Sequence, residues 1–459
     1  MSDYQSSDQG KNTVLLVAAI ASFLTPYMGS SINLALPSIG EELKVSALLL
    51  GWVATIYLLS AAVFLVPFGR LGDIYGRRRV FLTGMVVFTF SSLLCAFSPN
   101  IIVLLVLRVF QGMGSAMIFA TGIAILTSVF PKNERGRAIG ITMTSVYAGL
   151  SLGPVAGGFL TEYFGWRSVF VFTVIFGIVA IYFVLTKIKQ EWAEAEGEPF
   201  DFGGAVIYGF SLSFIIYGLS NLQSWQGLLF LLAGLIFFLF FIKRETSVDY
   251  PVINVNLFIS NRLFAFSNMA AFIHYSSTFA VTFLLSFFLQ TVKGFSARDA
   301  GLIMVIKPVV MAGTAFLSGR MSDRFEPRVL STIGMAITAT ALFFFVFLAQ
   351  MSVMHIMVNF VLLGVGLGLF VAPNANAIMS SVEKKYVGIA SGSMGTMRVI
   401  GQMFSMGLVM LVFSVYTGGR DISVGSAEEF LKIVPVAFTL LSALCFAGIY
   451  ASYTRGNIR

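Results

Sequence analysis

The residues of this 459-residue chain that could do chemistry are few, and they sit in apolar company. Arg108, Lys307 and Arg398 each stand inside an apolar run, and no Asp or Glu occupies a mid-run position; Glu162 and Asp299 fall at run ends. A cation so placed can hold an anion, be satisfied by backbone carbonyls or water, or, for lysine, give up its proton. In RVFQGMGS the residues Arg108, Gln111, Gly112 and Ser115 follow i, i+3, i+4, i+7 spacing and share one helical face. Gly395, Arg398 and Gln402 share another, and His274 lies in line with Ser267, Thr278 and Thr282. An imidazole titrates near neutrality and could carry a proton, although a lone histidine of this kind is more often a packing residue. There is no P-loop, H-E-x-x-H, G-x-S-x-G or cysteine pair at metal spacing, so neither an enzyme nor a cofactor or metal site is expected. Cys95 and Cys445 lie inside apolar runs as small buried hydrophobes, with no disulfide framework.

The elements that must position these residues are membrane spans. The chain is 57% hydrophobic and 11% charged, with a mean hydropathy of +0.89, values that exclude an ordinary soluble protein. At about 20 mostly apolar residues per span, fourteen spans begin near residues 13, 47, 79, 101, 136, 165, 203, 226, 262, 299, 329, 353, 387 and 430. The net charge of +8 does not indicate nucleic acid, because the Lys and Arg lie in short segments between runs. Assigned to alternate faces, 20 of the 29 basic residues fall on one side and 6 on the other, which predicts cytoplasmic termini. The first run is too long for a signal-peptide core and lacks a small-residue cleavage site, so it is expected to be retained. A basic side chain at mid-membrane costs roughly 2.5–3.5 kcal/mol, or about 8–10 kcal/mol for the three, so they are expected to face an aqueous cavity.

A charged turn, GRLGDIYGRRR from Gly69 to Arg79, separates the second and third spans, and GRMSDRFEPR from Gly319 to Arg328 follows the tenth. Gly, Arg, Asp and the final Arg correspond, which marks an internal repeat of the kind transporters built from two halves show. The two turns lie eight spans apart, whereas directly joined six-span halves would place them six apart. The expected organisation is an all-α polytopic protein: a six-helix half at 1–186, a linker with two extra spans at 187–250 and a second six-helix half at 251–459. Glu191 to Asp201, EWAEAEGEPFD, carries five acids and no Lys or Arg, and is expected to be a solvated linker.

The pattern G-x-L-x-D-x-x-G-R-x-R resembles the loop after the second helix of the major facilitator superfamily, and the fourteen-span layout resembles its drug:proton antiporter branch. The fifth span supports the likeness: GLSLGPVAGGF matches the exporters' G-x-x-x-G-P-x-x-G-G at every defined position. Gly149, Gly153 and Gly157 recur every four residues beside Pro154, with Gly158 completing the pair, so a kinked, closely packed helix is expected. R-x-x-Q-G at Arg108 and Gln111 resembles a family motif linked to proton transfer or substrate response, and an arginine at Arg398 is usual in the branch. Two positions depart from it: Lys307, beside Pro308, stands where relatives are apolar, and Met28 stands where SSINLALPSI-type strings carry an Asp.

The resemblance implies a multi-pass plasma-membrane exporter of small amphipathic compounds, proton-coupled and working by alternating access. An exporter or uptake carrier of a specific anionic metabolite is one alternative, and a non-transporting receptor on the same fold another. Expected partners are a small-molecule substrate, protons and the lipid bilayer. Gating is expected from Gly69, Gly72, Asp73, Gly76, Arg77, Arg78 and Arg79, with Gly319, Asp323, Arg324 and Arg328 in the second turn. Asp73 would accept from helix-end N–H groups while Arg77 to Arg79 bridge to the other half, and the glycine face of the fifth span would slide against that half. Arg108, Gln111, His274, Lys307, Arg398 and Gln402 are the expected cavity residues.

Overall fold

The computed structural model describes residues 8–44, 47–131, 133–221, 224–253, 255–295, 297–417 and 427–456. Among them fourteen helices are long and apolar enough to cross a membrane, and no β-strand occurs. They are α1 (Asp8–Leu43), α2 (Ala47–Tyr75), α3 (Arg77–Ala96), α4 (Ile101–Val129), α5 (Arg135–Phe164), α6 (Arg167–Lys187), α7 (Phe202–Ser220) and α8 (Trp225–Glu245). There follow α9 (Arg262–Ser286), α10 (Asp299–Met321), α11 (Pro327–Gln350), α12 (Val353–Ser380), α13 (Val387–Thr417) and α14 (Ala427–Thr454). The expected span starts fall within a few residues of these bounds, because a hydrocarbon-length apolar run satisfies its backbone only as a helix.

Polar residues between the runs set the helix ends. The Asn100 side chain accepts from the Val103 N–H at 3.0 Å to open α4, and Asn261 does the same for Phe264 at the start of α9. Ser224 accepts from Gly227 N–H at 2.9 Å to open α8. Such caps satisfy donors that the helix leaves unpaired. Gly76, at φ 111°, turns the chain between α2 and α3 in a backbone region that other residues avoid. At the end of α1, Glu42 accepts from Trp166 Nε1 at 2.7 Å and pairs with Arg167, and these contacts hold its carboxyl below the usual carboxylate range.

The chain falls into two compact units. Unit 1 comprises Met1–Ala205, Ser247–Asn254 and Val382–Thr396, and so takes in α1 to α6 and the first turns of α13. Its core is apolar side chains of α1 to α6, among them Leu24, Met28, Phe88, Leu104 and Phe170. Unit 2 comprises Val206–Thr246, Val255–Ser381 and Met397–Arg459. Within it α10 and α11 pack on α12, and α9 and α11 pack on α14. α7 and α8 form a hairpin: the Ser211 hydroxyl donates to the Gly234 carbonyl at 3.1 Å, and a Cβ at Gly218 would collide with Leu231. Much of the rest of α8, including Leu229, Phe238 and Phe240, is exposed apolar surface suited to lipid.

Candidate functional site

Asp73, the acid of the first charged turn, is completely buried. Its carboxylate accepts from the Gly388 N–H at 3.0 and 3.1 Å and from the Ile389 N–H at 3.2 Å, the first turn of α13. Helix-start amides carry partial positive charge, so they suit a carboxylate. Arg77 closes the other side: its Nε and Nη2 donate to Asp73 Oδ1 at 2.9 and 2.7 Å, its Nη1 to Ser128 Oγ at 2.6 Å, and Nη2 also to the Lys384 carbonyl. Two glycines permit this approach. A Cβ at Gly69 would fall on the Gly388 carbonyl oxygen, and one at Gly388 on the Gly69 carbonyl oxygen, with Asp73 Oδ1 2.7 Å away. Gly392 and Gly395 continue the small face of α13, where a Cβ would press on Leu65 at 2.7–3.0 Å. Sequence reading missed these partners, although a glycine spacing of four and then three along α13 is the signal small-residue helix contacts leave.

The remaining arginines of the turn bind elsewhere than expected. Arg78 Nε donates to the Ile188 carbonyl and Arg70 pairs with Glu198, while the Arg78 and Arg79 backbone N–H groups donate to Glu191 at 2.8 and 3.1 Å. Of Arg77, Arg78 and Arg79, it is Arg77 that bonds to the Lys384 carbonyl. The stretch expected to be a solvated linker is therefore docked on the turn. Its Trp192 is buried, its Trp192 carbonyl accepts from Arg77 N–H at 2.9 Å, and its Ala195 N–H donates to the Asp73 carbonyl at 2.9 Å. An apolar Trp amid acids was the one sequence hint.

Arg108 is also fully buried, in unit 1, rather than open to water. Its Nε donates to the Val53 carbonyl at 2.9 Å, its Nη1 to Gln111 Oε1 at 2.5 Å, and its guanidinium lies 4.4 Å from the centre of the Tyr57 ring. Gln111 donates onward to Ser92 Oγ at 2.6 Å, and the Tyr57 hydroxyl bonds Ser115 at 3.0 Å and the Thr25 carbonyl at 2.9 Å. Arg108, Gln111 and Ser115 do share a face, and one polar network through it joins α1, α2, α3 and α4. Nη2 is buried without a hydrogen-bond partner.

Residues 18–406 match the Major Facilitator Superfamily. The chain belongs to that superfamily. Similar proteins include the riboflavin transporter RibZ of Clostridioides difficile (strain 630), 31% identical over 84% of each chain. The tetracenomycin C resistance and export protein of Streptomyces glaucescens is 30% identical over 87% of this chain and 76% of its own. The multidrug resistance protein Stp of Mycobacterium tuberculosis (strain CDC 1551 / Oshkosh) is 28% identical over 84% and 72%. Among solved structures, the human organic anion transporter MFSD10 matches with a TM-score of 0.69 at 15% identity over 96% of this chain and 99% of its own. The proton:xylose symporter XylE matches at 0.67 and 15% identity over 95% of each. These relatives are transporters, and this chain is a multi-pass membrane protein of the same superfamily, not an enzyme.

The glycine-rich fifth helix packs within unit 1, against α1. Cβ atoms at Gly149 and Gly153 would collide with the Phe23 carbonyl and Ser30, and one at Gly157 would lie 2.7 Å from Ser31. The expectation that this glycine face slides against the other half is corrected: its contacts are with the first helix. Pro154 is exposed and a Cβ at Gly158 would meet open space, so these two lie off that contact. The side chains of Asn33 and Pro37 lie outside the described residues, as do residues 1–7 and 457–459 of the termini.

In unit 2 the polar residues part company. His274 is fully buried and stacks on Phe370 at 4.0 Å, so it does not stand at a cavity wall. The helical face predicted through Thr282 is cut, because α9 is interrupted at Phe279 and Ala280 before resuming at Val281. Ala280 N–H is taken by Ser405 Oγ of α13 at 3.1 Å. α10 is likewise interrupted at Val305, where Pro308 lacks the N–H that would bond the Met304 carbonyl. Lys307, half-buried at that break, donates to Thr282 Oγ1 at 2.7 Å and so ties the two resumed helices together. Arg398 and Gln402 are half-buried on α13 beside the fully buried Gly401, whose Cβ would press on the Phe272 carbonyl. In the second charged turn Gly319 is buried, Asp323 half-buried, Arg324 exposed, and Arg328 lies 5.1 Å from the Tyr453 ring centre. Sequence reading missed Arg455, which is buried after α14. It donates to Asn374 Oδ1 at 2.5 Å and to the Pro327 carbonyl at 2.8 Å, tying together α12, α11 and α14. It follows the last apolar run, so it read as a loop charge.

Proposed function

We propose that the chain is a proton-coupled exporter of small amphipathic compounds in the cell membrane, with both termini cytoplasmic, working by alternating access. Two six-helix halves, 1–186 and 251–459, would rock about a midplane site, with the pair in 187–250 added between them. The observation that carries this reading is the Asp73 carboxylate seated on the Gly388 and Ile389 amides. Its hydrogen bonds are backbone-directed and lie at one end of the helices, so they can form in one access state and break in the other. The Arg108, Gln111 and Tyr57 network is the candidate relay, since its buried polar groups link α1, α2, α3 and α4. Export-named relatives support the direction. Everted vesicles energised by respiration should accumulate at least one of ethidium, riboflavin or fluorescein, as a cation, a neutral compound and an anion, and lose it on adding a protonophore. Absence of gradient-dependent movement across that panel would count against the proposal.

A second reading, a carrier of a specific anionic metabolite, is favoured by Lys307 at the break in α10 together with the buried Met28, an apolar residue at the position where the family resemblance implies an Asp. A cation near Lys307 would meet repulsion of about 1–4 kcal/mol per charge at 4 Å. Thr282 and Lys307 offer an anion a hydroxyl and an ammonium.

A further inference from the structure

The segment after α6 makes contacts that no solvated connection needs. From Ile188 to Glu198 it lies along the charged turn, with two backbone hydrogen bonds, Trp192 carbonyl from Arg77 N–H and Ala195 N–H to Asp73 carbonyl, both 2.9 Å. These flank the two residues at the centre of the latch. Glu191 sits over the break between α2 and α3, and its two carboxylate oxygens receive the second and third amides of α3, those of Arg78 and Arg79. A Cβ on Gly76 would collide with Glu191, so the glycine is needed for that seat. Glu198 pairs with Nη2 of Arg70, whose guanidinium is buried and whose Nε and Nη1 have no hydrogen-bond partner. The turn gathers Arg70, Arg77, Arg78 and Arg79 around one acid, Asp73, and the segment brings the further anions. Its other acids, Glu194 and Glu196, are exposed.

We infer that Ile188–Glu198 is a strap that positions the latch: Glu191 and Glu198 hold the charged turn in the shape that presents Asp73 to α13, and thereby set how readily the latch opens. The inference rests on the proposed role of Asp73 as a latch. In this account Glu191 and Glu198 are positioning residues, acting through the turn and never touching substrate. Charge near the turn is not sufficient; the seat of each carboxylate matters.

Thiol labelling tests this without a substrate. Ser391 is fully buried on α13, two residues beyond the amides that hold Asp73, and its hydroxyl donates to the Phe119 carbonyl at 3.1 Å. A single-cysteine reporter, Ser391→Cys with the buried Cys95 and Cys445 changed to serine, would be reconstituted full-length in liposomes and reacted with N-ethylmaleimide. Glu198→Gln and Glu191→Gln should each raise the labelling rate about tenfold, the change expected for roughly 1.4 kcal/mol of latch opening. Glu198→Asp should restore much of the parent rate, and Glu194→Gln and Glu196→Gln should leave it unchanged. A second reporter at Ser442→Cys, buried in α14, should label at the parent rate throughout. Unchanged labelling at 391 in both Glu191→Gln and Glu198→Gln, or equal acceleration at 391 and 442, would overturn the inference, the latter because it reports general loosening. Asp73→Asn separates the two levels. If it accelerates labelling while the strap variants do not, the strap fails and the latch stands; if it does not accelerate labelling, the latch itself fails.

Discussion

Asp73 is the residue on which most of the local chemistry converges, because one buried carboxylate serves two backbone donors and one buried guanidinium. Asp73→Asn keeps the volume and removes the charge, leaving Arg77 buried without its anion. Breaking such a pair typically costs about 3–5 kcal/mol, and here the loss falls on the latched state. The expected outcome is depressed transport with intact expression, checked by flux and by fluorescence-detected size exclusion. Arg108 makes a different prediction. Arg108→Leu would leave the buried Gln111 Oε1 unmet, at a cost of about 1–3 kcal/mol, and would remove the guanidinium's bond to the Val53 carbonyl, so a clear fall in melting temperature is expected. Arg108→Lys should recover only part of it, since one ammonium cannot reproduce the planar fork. Sequence spacing gave the Arg108 and Gln111 pairing correctly because both lie within one helix turn. It could not give the partner of Asp73, which lies 315 residues away, or the enclosure of Arg108, which depends on how α2 and α3 pack on α4.

Among the helices, the glycine pattern of α5 is the clearest test of packing. Its face toward α1 leaves no room at Gly149, Gly153 and Gly157, whereas Gly158 faces open space. Gly153→Leu should therefore destabilise by on the order of 1–3 kcal/mol through overpacking, and Gly158→Leu should be tolerated, a contrast that thermal denaturation of the two variants measures directly. The spans themselves were legible because membrane length and hydropathy are properties of single segments. Which surface a glycine face meets is a property of pairs, and the sequence reading assigned it to the wrong partner. The breaks in α9 and α10 were legible only in part: Pro308 marks one, but nothing in FAVT announces that the helix stops at Phe279 and resumes at Val281. The acidic strap was misread for a related reason, since charge runs are usually solvated and only the buried Trp192 separates this one from that rule.

At the scale of the whole molecule the chain is a member of a transporter superfamily with fourteen membrane-length helices among the described residues, and the proposal concerns what it moves and what drives it. Lys307 tests the substrate's charge. If Lys307 with Thr282 holds an anionic group, Lys307→Met should weaken anion affinity while coupling persists; uncoupled exchange in that variant would assign the lysine to the proton path. Strong efflux of a permanent dication by the unaltered protein would contradict an anion-selective site. The most direct measurement of the central claim is flux through the purified protein in liposomes under an imposed proton gradient, with Asp73→Asn run beside it. The account predicts gradient-dependent accumulation of a probe from the cationic, neutral and anionic panel, abolished by a protonophore and slowed about tenfold or more in Asp73→Asn, a factor equal to roughly 1.4 kcal/mol. Flux at the same rate with and without the gradient, or an Asp73→Asn protein that transports as fast as the unaltered one, would contradict it.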